Sequence, residues 1–390
     1  MENFMWDGAS RVIFGKGVEN ETGKWVKKYG GKKVLFHYGG GSIKKSGLYN
    51  RVMKSLSDEK IEFVEFGGVV PNPKLNLIRD AIKLCKQKGV DFILAVGGGS
   101  VIDSAKGIAV GVPYEGDVWD FSDKRIPPKS ALSVGVVLTI PAAGSETSQY
   151  AVATNEDGPY PYKRDIVFEN NELIRPKFAI MNPELTFTLP LYQTAVGITD
   201  IMAHAMERYF TSVKNVELTD RMCEAVIKTM INNGRIVMKR PDDYAARAEI
   251  MWAGSIAHND QLGTGRQGDF VSHMVEHELS AIYDIAHGAG LAIIFPAWAK
   301  YVYKYNVARF ARFAVEVWNV DMNFEDPEQT ALEGIRRLEN FYVEIGMPTR
   351  LKDVKIPTDR FAEMAEKCVK PGSIKKITKE DVIEIFKLAQ

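Results

Sequence analysis

The sequence is poor in several features that mark particular classes of protein. Its three cysteines, Cys85, Cys223 and Cys368, are odd in number and far apart, which argues against a disulfide framework and for a reducing, cytoplasmic location. No apolar run approaches the ~20 residues of a membrane span, and the start, MENFMWDGAS, does not resemble a signal peptide. Lys+Arg and Asp+Glu balance at 50 each, so neither nucleic acid nor an anionic membrane is an expected partner.

The first half of the chain predicts an α/β domain. Apolar, strand-like runs alternate with helical patterns, and the strongest are KVLFHY (33–38), IEFVEF (61–66), VDFILAVGGGS (90–100) and LSVGVVLTIP (132–141). Strands without polar alternation are typical of a parallel sheet that is covered on both faces. We therefore expect a doubly wound, Rossmann-like α/β dinucleotide-binding domain in residues 1–184.

The second half predicts an all-α domain in residues 185–390. Apolar residues three and four apart recur in 189–210, 243–258 and 327–346, and strand-like runs become scarce. A chain of 390 residues is also long for a single core. The boundary is placed at MNPELTFTLP, where two prolines flank a short connection.

Two of the expected strands end in the same four residues, Gly39-Gly40-Gly41-Ser42 and Gly97-Gly98-Gly99-Ser100. Glycine lets the backbone approach a ligand closely, and the N–H groups of such a turn attract phosphate. Neither turn matches Gly-x-Gly-x-x-Gly, and tight strand-to-helix turns are the alternative explanation. Two such turns in one sheet favour a dinucleotide, with Asp103, one turn into the next helix, within reach of a ribose or amide.

Half of the six histidines lie in the fifteen residues HMVEHELSAIYDIAH, from His273 to His287. On a helical projection the apolar residues share one face, whereas His273 and His277 lie on the other with Asp269, Ser280 and Asp284. These histidines are therefore not expected in the core. Their face is either a metal site or an ordinary solvated surface.

A second pattern, TDIMAH, favours the metal site. Asp200 and His204 are spaced i,i+4, so they share one helix face. Together with His273 and His287 they offer three nitrogens and one carboxylate oxygen, which suits Fe²⁺ or Zn²⁺ and leaves a coordination position open. The other two histidines, His37 and His258, have no comparable partner in the sequence and are expected to be structural.

The same segment also fits a zinc-peptidase pattern. HMVEH matches His-x-x-Glu-His, in which both histidines bind zinc and Glu276 acts as the base. This alternative leaves the two glycine turns, Asp200 and His204 unexplained, and it is the weaker one.

Taken in order, several motifs resemble the iron-dependent, group III alcohol dehydrogenases, most of all their butanol dehydrogenase and NADPH-dependent aldehyde reductase branch. The resemblance covers nearly the whole chain and lies in DGASRVIFGKG, VVPNPK, AVGGGSVIDSAK, LTIPAAGSETS, DIMAH and HMVEHELSAIYDIAHGAGLAIIFPAW. It implies a dehydroquinate-synthase-like fold, a homodimeric enzyme, and hydride transfer between a nicotinamide and a short- to medium-chain alcohol or aldehyde such as butanol or butanal.

The resemblance also implies roles for individual residues. One divalent metal, usually iron and sometimes zinc, is bound by Asp200, His204, His273 and His287. His277 is not a ligand and relays a proton beside the nicotinamide, and Glu276 is a helix-surface carboxylate that tolerates Gln. The implied coenzyme contacts, besides the two glycine turns and Asp103, are Asn72, Thr139, Ser145, Thr147 and Lys163. TIPAAGSE departs from many members, which carry Thr-Thr or Thr-Ala after the proline.

The turn after the first strong strand predicts the coenzyme. Gly39 stands where NAD-specific members of the family place Asp, and Ser42, Lys44 and Lys45 follow it. An aspartate would repel the 2′-phosphate of NADP, whereas a hydroxyl and an ammonium attract it. We therefore expect NADP(H) to be preferred over NAD(H). Two other classes stay open: a lyase of the dehydroquinate-synthase type and a non-enzymatic nucleotide sensor.

Overall fold

The protein is described by a computed structural model that covers residues 1–157, 161–368 and 372–390. The chain forms two compact units. The α/β unit comprises Gly8–Leu189 and Asp242–Ser255, and the helical unit comprises Met1–Asp7, Pro190–Pro241 and Ile256–Gln390.

The division after Leu189 lies close to the boundary predicted after residue 184, but two short segments differ from the prediction. Residues 242–255, expected in the helical domain, belong to the α/β unit, because Met251 is buried in its core and the Trp252 ring lies 6.5 Å from that of Phe14. Residues 1–7, expected in the α/β domain, belong to the helical unit, where the Trp6 indole N–H donates to the carbonyl of Asn259 at 3.3 Å.

The α/β unit is built on a parallel sheet. Its strands are β1 (Arg11–Phe14), β2 (Lys33–Tyr38), β3 (Glu62–Phe66), β4 (Phe92–Gly98), β5 (Ser133–Ile140), β6 (Val152–Asn155), β7 (Tyr162–Asp165) and β8 (Phe178–Met181). Six of them form one sheet in the order β1-β8-β5-β4-β2-β3, with every neighbouring pair parallel. β6 and β7 form a separate antiparallel pair.

Helices cover both faces of this sheet. They are α1 (Thr22–Lys28), α2 (Ser42–Lys45), α3 (Leu48–Asp58), α4 (Leu75–Lys88), α5 (Gly99–Gly111) and α6 (Asp120–Asp123). Alternate residues of β2 divide between two cores: Val34 packs in the cluster that contains α3, and Leu35 in the cluster that contains α4 and α5. The four predicted strands and the doubly wound arrangement are confirmed.

The next helices along the chain are α7 (Leu191–Tyr209), α8 (Glu217–Lys239) and α9 (Tyr244–His258), and most of α9 belongs to the α/β unit. The helical unit contains α7 and α8, and after α9 it continues with α10 (Val271–Tyr283), α11 (His287–Val302), α12 (Val307–Trp318), α13 (Pro327–Glu344), α14 (Phe361–Lys367) and α15 (Lys379–Leu388). Within the described residues, no helix has both the length and the apolar character needed to cross a membrane. The predicted all-helical character of the second half is confirmed.

Candidate functional site

Side chains from three helices of the helical unit converge on one carboxylate oxygen. Asp200 and His204 lie one turn apart on α7, His273 lies on α10, and His287 is the first residue of α11. From Asp200 Oδ1, His204 Nδ1 lies at 3.4 Å, His287 Nε2 at 3.8 Å and His273 Nε2 at 4.0 Å. Four donors held ~2.1 Å from one cation are about 3.4 Å apart, so the spacing suits a small divalent metal ion.

The chemistry of these donors also fits a cation. Asp200, His204 and His273 are buried. Among the described residues, His204 Nδ1 and His273 Nε2 make no hydrogen bond, although buried polar atoms normally have a partner. Burial, reinforced by the neighbouring His258, lowers the pKa of His204 well below its usual range, which keeps the imidazole neutral and able to bind a metal.

The chain path between His273 and His287 explains how both reach one point. α10 ends at Tyr283, the next residue, Asp284, is left-handed with a φ of 51°, and α11 begins three residues after Asp284. This short reversal brings the ring of His287 to 5.4 Å from that of His273, measured between centroids. Helical spacing alone therefore does not place the third imidazole; the turn does.

Two buried carboxylates lie behind the imidazoles. Glu207 accepts from His273 Nδ1 at 3.0 Å, from the His273 backbone N–H at 3.1 Å and from the Phe270 N–H at 2.8 Å, and Ser272 Oγ also donates to it. Burial disfavours its ionisation, but the bonds from His273 and Ser272 outweigh this and lower the pKa of Glu207.

Glu276 is the second of these carboxylates and corrects the sequence analysis. The predicted surface position is wrong, because Glu276 is fully buried. Its carboxylate contacts His287 Nδ1 and accepts from Ser280 Oγ. A carboxylate held in this way is not placed as the exposed base of a peptidase. The face of α10 that carries the two histidines is likewise not solvated, since Asp269 and Ser280 are buried and only Asp284 is exposed.

The other histidines separate into three environments. His277 is 8% exposed and lies with its ring 5.5 Å from that of His287, beside Glu276 rather than at Asp200. His37 is fully buried, where its ring nitrogens bond to the Phe66 carbonyl at 2.8 Å and to Ser104 Oγ at 2.9 Å. His258, for which the sequence offered no partner, has its ring 4.0 Å from that of His204.

In the α/β unit, both glycine-rich turns follow neighbouring strands. Gly39–Ser42 follows β2 and Gly97–Ser100 follows β4, and these two strands pair in parallel. β3 lies on one side of β2 and β4 on the other, so the strand order reverses here. Open α/β sheets bind ligands outside the carboxyl ends of the strands at such a reversal. The turns therefore lie where a dinucleotide site is expected.

The individual glycines differ in what they allow. A Cβ on Gly97 would lie 2.5 Å from the Val101 side chain, and one on Gly98 would lie 3.0 Å from Ile140, so both serve close packing. A Cβ on Gly40 or Gly41 would meet nothing within 4 Å. Open space beside the first turn is therefore available to a ligand.

Several predicted coenzyme residues form two buried contacts. Asp103 Oδ1 accepts from Ser145 Oγ at 2.6 Å, and Lys163 Nζ donates to Asn72 Oδ1 at 3.1 Å. The remaining two, Thr139 and Thr147, lie at the end of β5 and in the loop that follows it. Thr147 is buried, and Thr139 is partly exposed.

Comparison with known proteins decides the family. Residues 9–183 match the iron-containing alcohol dehydrogenases, and residues 194–390 match the C-terminal part of the Fe-containing alcohol dehydrogenase family. The chain is 41% identical to a probable NADH-dependent butanol dehydrogenase of Bacillus subtilis, over 99% of each chain, and 34% identical to the NADPH-dependent aldehyde reductase YqhD of Escherichia coli, over 95% and 94%. The chain belongs to the iron-containing alcohol dehydrogenase family.

The fold agrees with this assignment. A solved structure of the NADH-dependent butanol dehydrogenase A of Thermotoga maritima has a TM-score of 0.94 at 41% identity, and covers 100% of this chain and 99% of its own. The family resemblance inferred from the motifs is confirmed, and the protein is an oxidoreductase.

Sequence reasoning missed two residues that organise the site of this iron-containing alcohol dehydrogenase. One is Glu207, the partner of His273, for which the sequence carries no signal beyond its position seven residues after Asp200 on one helix face. The other is Lys106, which is fully buried and donates to Ser145 Oγ at 2.8 Å. For Lys106, the available signal was a second charged residue, three positions after Asp103, in the mainly apolar helix GSVIDSAKGIAVG.

The basic residues expected at the coenzyme phosphate also differ from one another. Lys44 Nζ lies 4.0 Å from a Glu65 carboxylate oxygen and over the rings of Tyr38 and Tyr49, at 5.2 and 5.0 Å from their centroids. Lys45 is exposed on the same short helix. The ammonium of Lys44 therefore has a counter-charge on the neighbouring strand.

Proposed function

We propose that this protein is a metal-dependent alcohol dehydrogenase and aldehyde reductase that transfers hydride between NADP(H) and a short- to medium-chain alcohol or aldehyde such as butanol or butanal. The observation that carries the proposal is the convergence of three imidazole nitrogens on Asp200 Oδ1 at 3.4 to 4.0 Å. Family membership supplies the reaction class.

Asp200, His204, His273 and His287 are the proposed ligands of one divalent cation, Fe²⁺ in the first place and Zn²⁺ in the second. When bound, the cation supplies Lewis-acid polarisation of a carbonyl group or stabilises the deprotonated alcohol. The chain's own part is to hold three imidazole nitrogens and one carboxylate oxygen in a buried place. A metal ion that accepts a fifth or sixth ligand, as Fe²⁺ does, would keep a position for a substrate oxygen.

His277 is the proposed acid–base group. It is buried next to His287 but belongs to the group around Glu276 rather than to the donors around Asp200. A ring nitrogen of His277 can therefore hold or release the proton of the alcohol while the imidazole stays off the metal. Imidazole suits this task because its ordinary pKa lies near neutral pH.

The apolar surroundings support an alcohol or aldehyde over a phosphorylated sugar. The helix that starts with His287 continues as GAGLAIIFPAWA, and all these residues are buried. Phosphorylated substrates of a dehydroquinate-synthase-like lyase call for several basic groups, which this run lacks. The peptidase alternative gains no support either, because Glu276 is held by His287 and Ser280.

For the coenzyme, NADP(H) remains our proposal. Gly39 offers no carboxylate to repel a 2′-phosphate, Gly40 and Gly41 leave open space, and Lys45 is exposed beside them. The nearby Glu65 is offset by Lys44 at 4.0 Å. The relatives named above include both NADH-dependent and NADPH-dependent enzymes, so the preference requires a direct measurement.

A cytoplasmic homodimer completes the proposal. All three cysteines are buried and, within the described residues, form no disulfide bond, which supports a reducing compartment. β1 is an edge strand of the six-stranded sheet, and within the described chain nothing pairs with its outer side. Such an edge is open to a second copy. Light scattering on the purified protein tests the dimer, and a monomeric mass would contradict it.

The first experiment measures metal content and turnover together. Purified protein loaded with Fe²⁺ or Zn²⁺ should hold one ion per chain and reduce butanal with NADPH. His287→Ala and His204→Ala should lose both the metal and the activity. Asp284→Asn is the matched control, because it removes an exposed charge between the two metal-binding helices. Full metal occupancy and turnover in His287→Ala would overturn the ligand assignment.

The second experiment compares kcat/KM for NADPH and NADH on butanal. The wild-type enzyme should prefer NADPH, and Gly39→Asp should reverse the preference because its carboxylate repels the 2′-phosphate and accepts from ribose hydroxyls. Lys45→Ala should lower kcat/KM for NADPH more than for NADH. A wild-type preference for NADH would contradict the coenzyme proposal and leave the metal proposal intact.

A further inference from the structure

Two of the imidazoles around Asp200, those of His273 and His287, carry a buried carboxylate on their far side. His273 Nδ1 is bonded to Glu207 at 3.0 Å, and His287 Nδ1 is in contact with Glu276. We propose that Glu207 and Glu276 are positioning residues that fix His273 and His287 with a proton on Nδ1 and the lone pair of Nε2 directed at the metal. The inference rests on the proposed metal site and assigns to Glu276 a role that is neither a surface carboxylate nor a peptidase base.

The two nitrogens of each ring face different partners. His273 Nε2 and His287 Nε2 lie 4.0 and 3.8 Å from Asp200 Oδ1, while their Nδ1 atoms contact carboxylate oxygens. A carboxylate can only accept, so each Nδ1 must carry the hydrogen. A neutral imidazole has one N–H, which leaves Nε2 as the lone-pair donor. An anionic acceptor also makes that nitrogen a stronger ligand.

Glu276 is held in place by its surroundings. Ser280, one turn later on α10, donates to the carboxylate oxygen that His287 does not contact. Gly290 on α11 provides the space, because a Cβ there would lie 2.5 Å from Glu276 Oε1. The carboxylate therefore fits between two helices only while residue 290 has no side chain.

The same contact argues against a second metal ion. Glu276, His277 and His287 offer donor atoms within 4.8 Å of one another and could be taken for a separate cation site. The direct contact between Glu276 and His287 Nδ1 leaves no room for an ion between them. We therefore assign this trio to one ligand, its positioning carboxylate and the separate His277.

Replacing Glu207 and replacing Glu276 differ in how much of the surrounding structure each substitution disturbs. Glu207 also accepts from the backbone N–H groups of Phe270 and His273 at the start of α10, so its removal disturbs the helix as well as the ligand. Glu276 contacts the side chains of His287 and Ser280, so its replacement leaves in place the backbone bonds that Glu207 accepts. Glu276 is therefore the residue to change.

The experiment replaces Glu276 by Gln, which keeps the size and removes the charge. The amide oxygen can still accept from His287 Nδ1, but a neutral amide is a weaker acceptor than a carboxylate, so Nε2 of His287 becomes a weaker metal ligand. We expect metal affinity to fall 10- to 100-fold, measured by competition between the full-length protein and a chelator for Zn²⁺. The visible absorption of the Co²⁺-loaded variant should shift, because one ligand has changed orientation or donor strength.

Two further variants separate positioning from general damage. Glu278→Gln is the matched control, since Glu278 is also a fully buried carboxylate of α10 but lies near Lys367, at 3.9 Å, and not at a proposed ligand. It should keep the wild-type Zn²⁺ affinity within about threefold and an unchanged Co²⁺ spectrum. Gly290→Ala keeps the charge of Glu276 but displaces its carboxylate, and it should weaken Zn²⁺ binding as Glu276→Gln does.

The melting temperature of each metal-free variant reports folding separately from binding. Support requires weaker Zn²⁺ binding in Glu276→Gln with a metal-free melting temperature within about 3 °C of wild type. Wild-type affinity and an unaltered Co²⁺ spectrum in Glu276→Gln would overturn the inference. If the wild-type protein itself bound no metal, the proposed function would fail first, so the two failures are distinguishable.

Discussion

The buried ammonium of Lys106 offers a sharp test of how the α/β unit organises its coenzyme loop. Lys106 is fully buried on α5, and its Nζ donates to Ser145 Oγ at 2.8 Å, to the Ser148 carbonyl at 3.0 Å and to the Tyr150 carbonyl at 2.7 Å. All three acceptors lie in the loop after β5. Lys106→Met keeps the length and the apolar stem of the side chain and removes the charge and the three donors.

We expect Lys106→Met to lose much of the unfolding free energy, because the three oxygen atoms that accept from Lys106 remain buried without that donor. Removing one member of a buried charge network typically costs about 3 to 5 kcal/mol of unfolding free energy. Burial raises the pKa of Asp103, and the charge of Lys106 acts against that rise. Without Lys106, the Asp103 carboxylate keeps the bonds from Ser145 Oγ and from the Val152 N–H, at 2.6 and 3.2 Å, and the weaker influence of the Lys163 charge. Since Asp103 and Ser145 are proposed coenzyme contacts, the Kd for NADPH should rise at least ~10-fold, or about 1.4 kcal/mol.

Urea unfolding and titration of NADPH fluorescence measure the two effects. Lys83→Met is the control, because the Lys83 side chain is 74% exposed on α4 of the same unit and its loss should change the unfolding free energy by less than ~0.5 kcal/mol. Adding Asp103→Asn to Lys106→Met should recover part of the loss, since both buried charges are then absent. A Lys106→Met protein within ~1 kcal/mol of wild type, with unchanged NADPH affinity, would refute the reasoning.

Three other predictions concern the helical unit and the sheet. His277→Ala should keep its metal and lose ~10² to 10⁴-fold in kcat, because it removes an acid–base group and not a ligand; metal loss in parallel with activity, by elemental analysis, would contradict this. Burial, followed by the charge of Glu207, raises the pKa of Asp269 to about 7, so the folded state retains a proton there that the unfolded chain releases near pH 4. The unfolding free energy of the metal-free wild type, measured by urea titration, should therefore fall by at most ~4 kcal/mol relative to that of Asp269→Asn as pH rises from 4 to 7. If the unfolding free energies of the two proteins changed in parallel with pH, the raised pKa of Asp269 would be excluded. Gly135→Ala should cost ~1 to 3 kcal/mol in thermal unfolding, because its Cβ would lie 2.4 Å from the Phe178 ring, and an unchanged melting temperature would show that the ring can move away.

Local patterns were sufficient for much of the fold. β2 and the strands after it are apolar without alternation, so both faces had to be covered, and the runs 33–38 and 132–141 differ little from Lys33–Tyr38 and Ser133–Ile140 as observed. The edge strand β1 and the short strand β8 were not predicted. Each has only four residues, too short a run to distinguish a strand from a loop, and each becomes a strand by pairing with a distant partner.

The candidate metal site also has a part that the sequence predicts and a part that only the structure shows. The i,i+4 spacing of Asp200 and His204 is a property of one helix, so the sequence alone could place them on one face. Spacing could not choose between His273 and His277, which lie one turn apart; the motif resemblance named His273, and the structure places that ring at Asp200 and the other beside Glu276.

What the sequence by itself determined is therefore what short-range periodicity and motif order express: the parallel α/β half, the helical half, the two glycine turns and the family. What only the tertiary structure decided is which buried groups touch. Glu207 lies 66 residues from His273, Lys106 lies 39 residues from Ser145, and His258 meets His204 across two helices. Such contacts depend on how helices pack rather than on any local preference. The burial of Glu276 depends equally on a glycine of the next helix, and a helical projection of α10 alone makes that position look exposed.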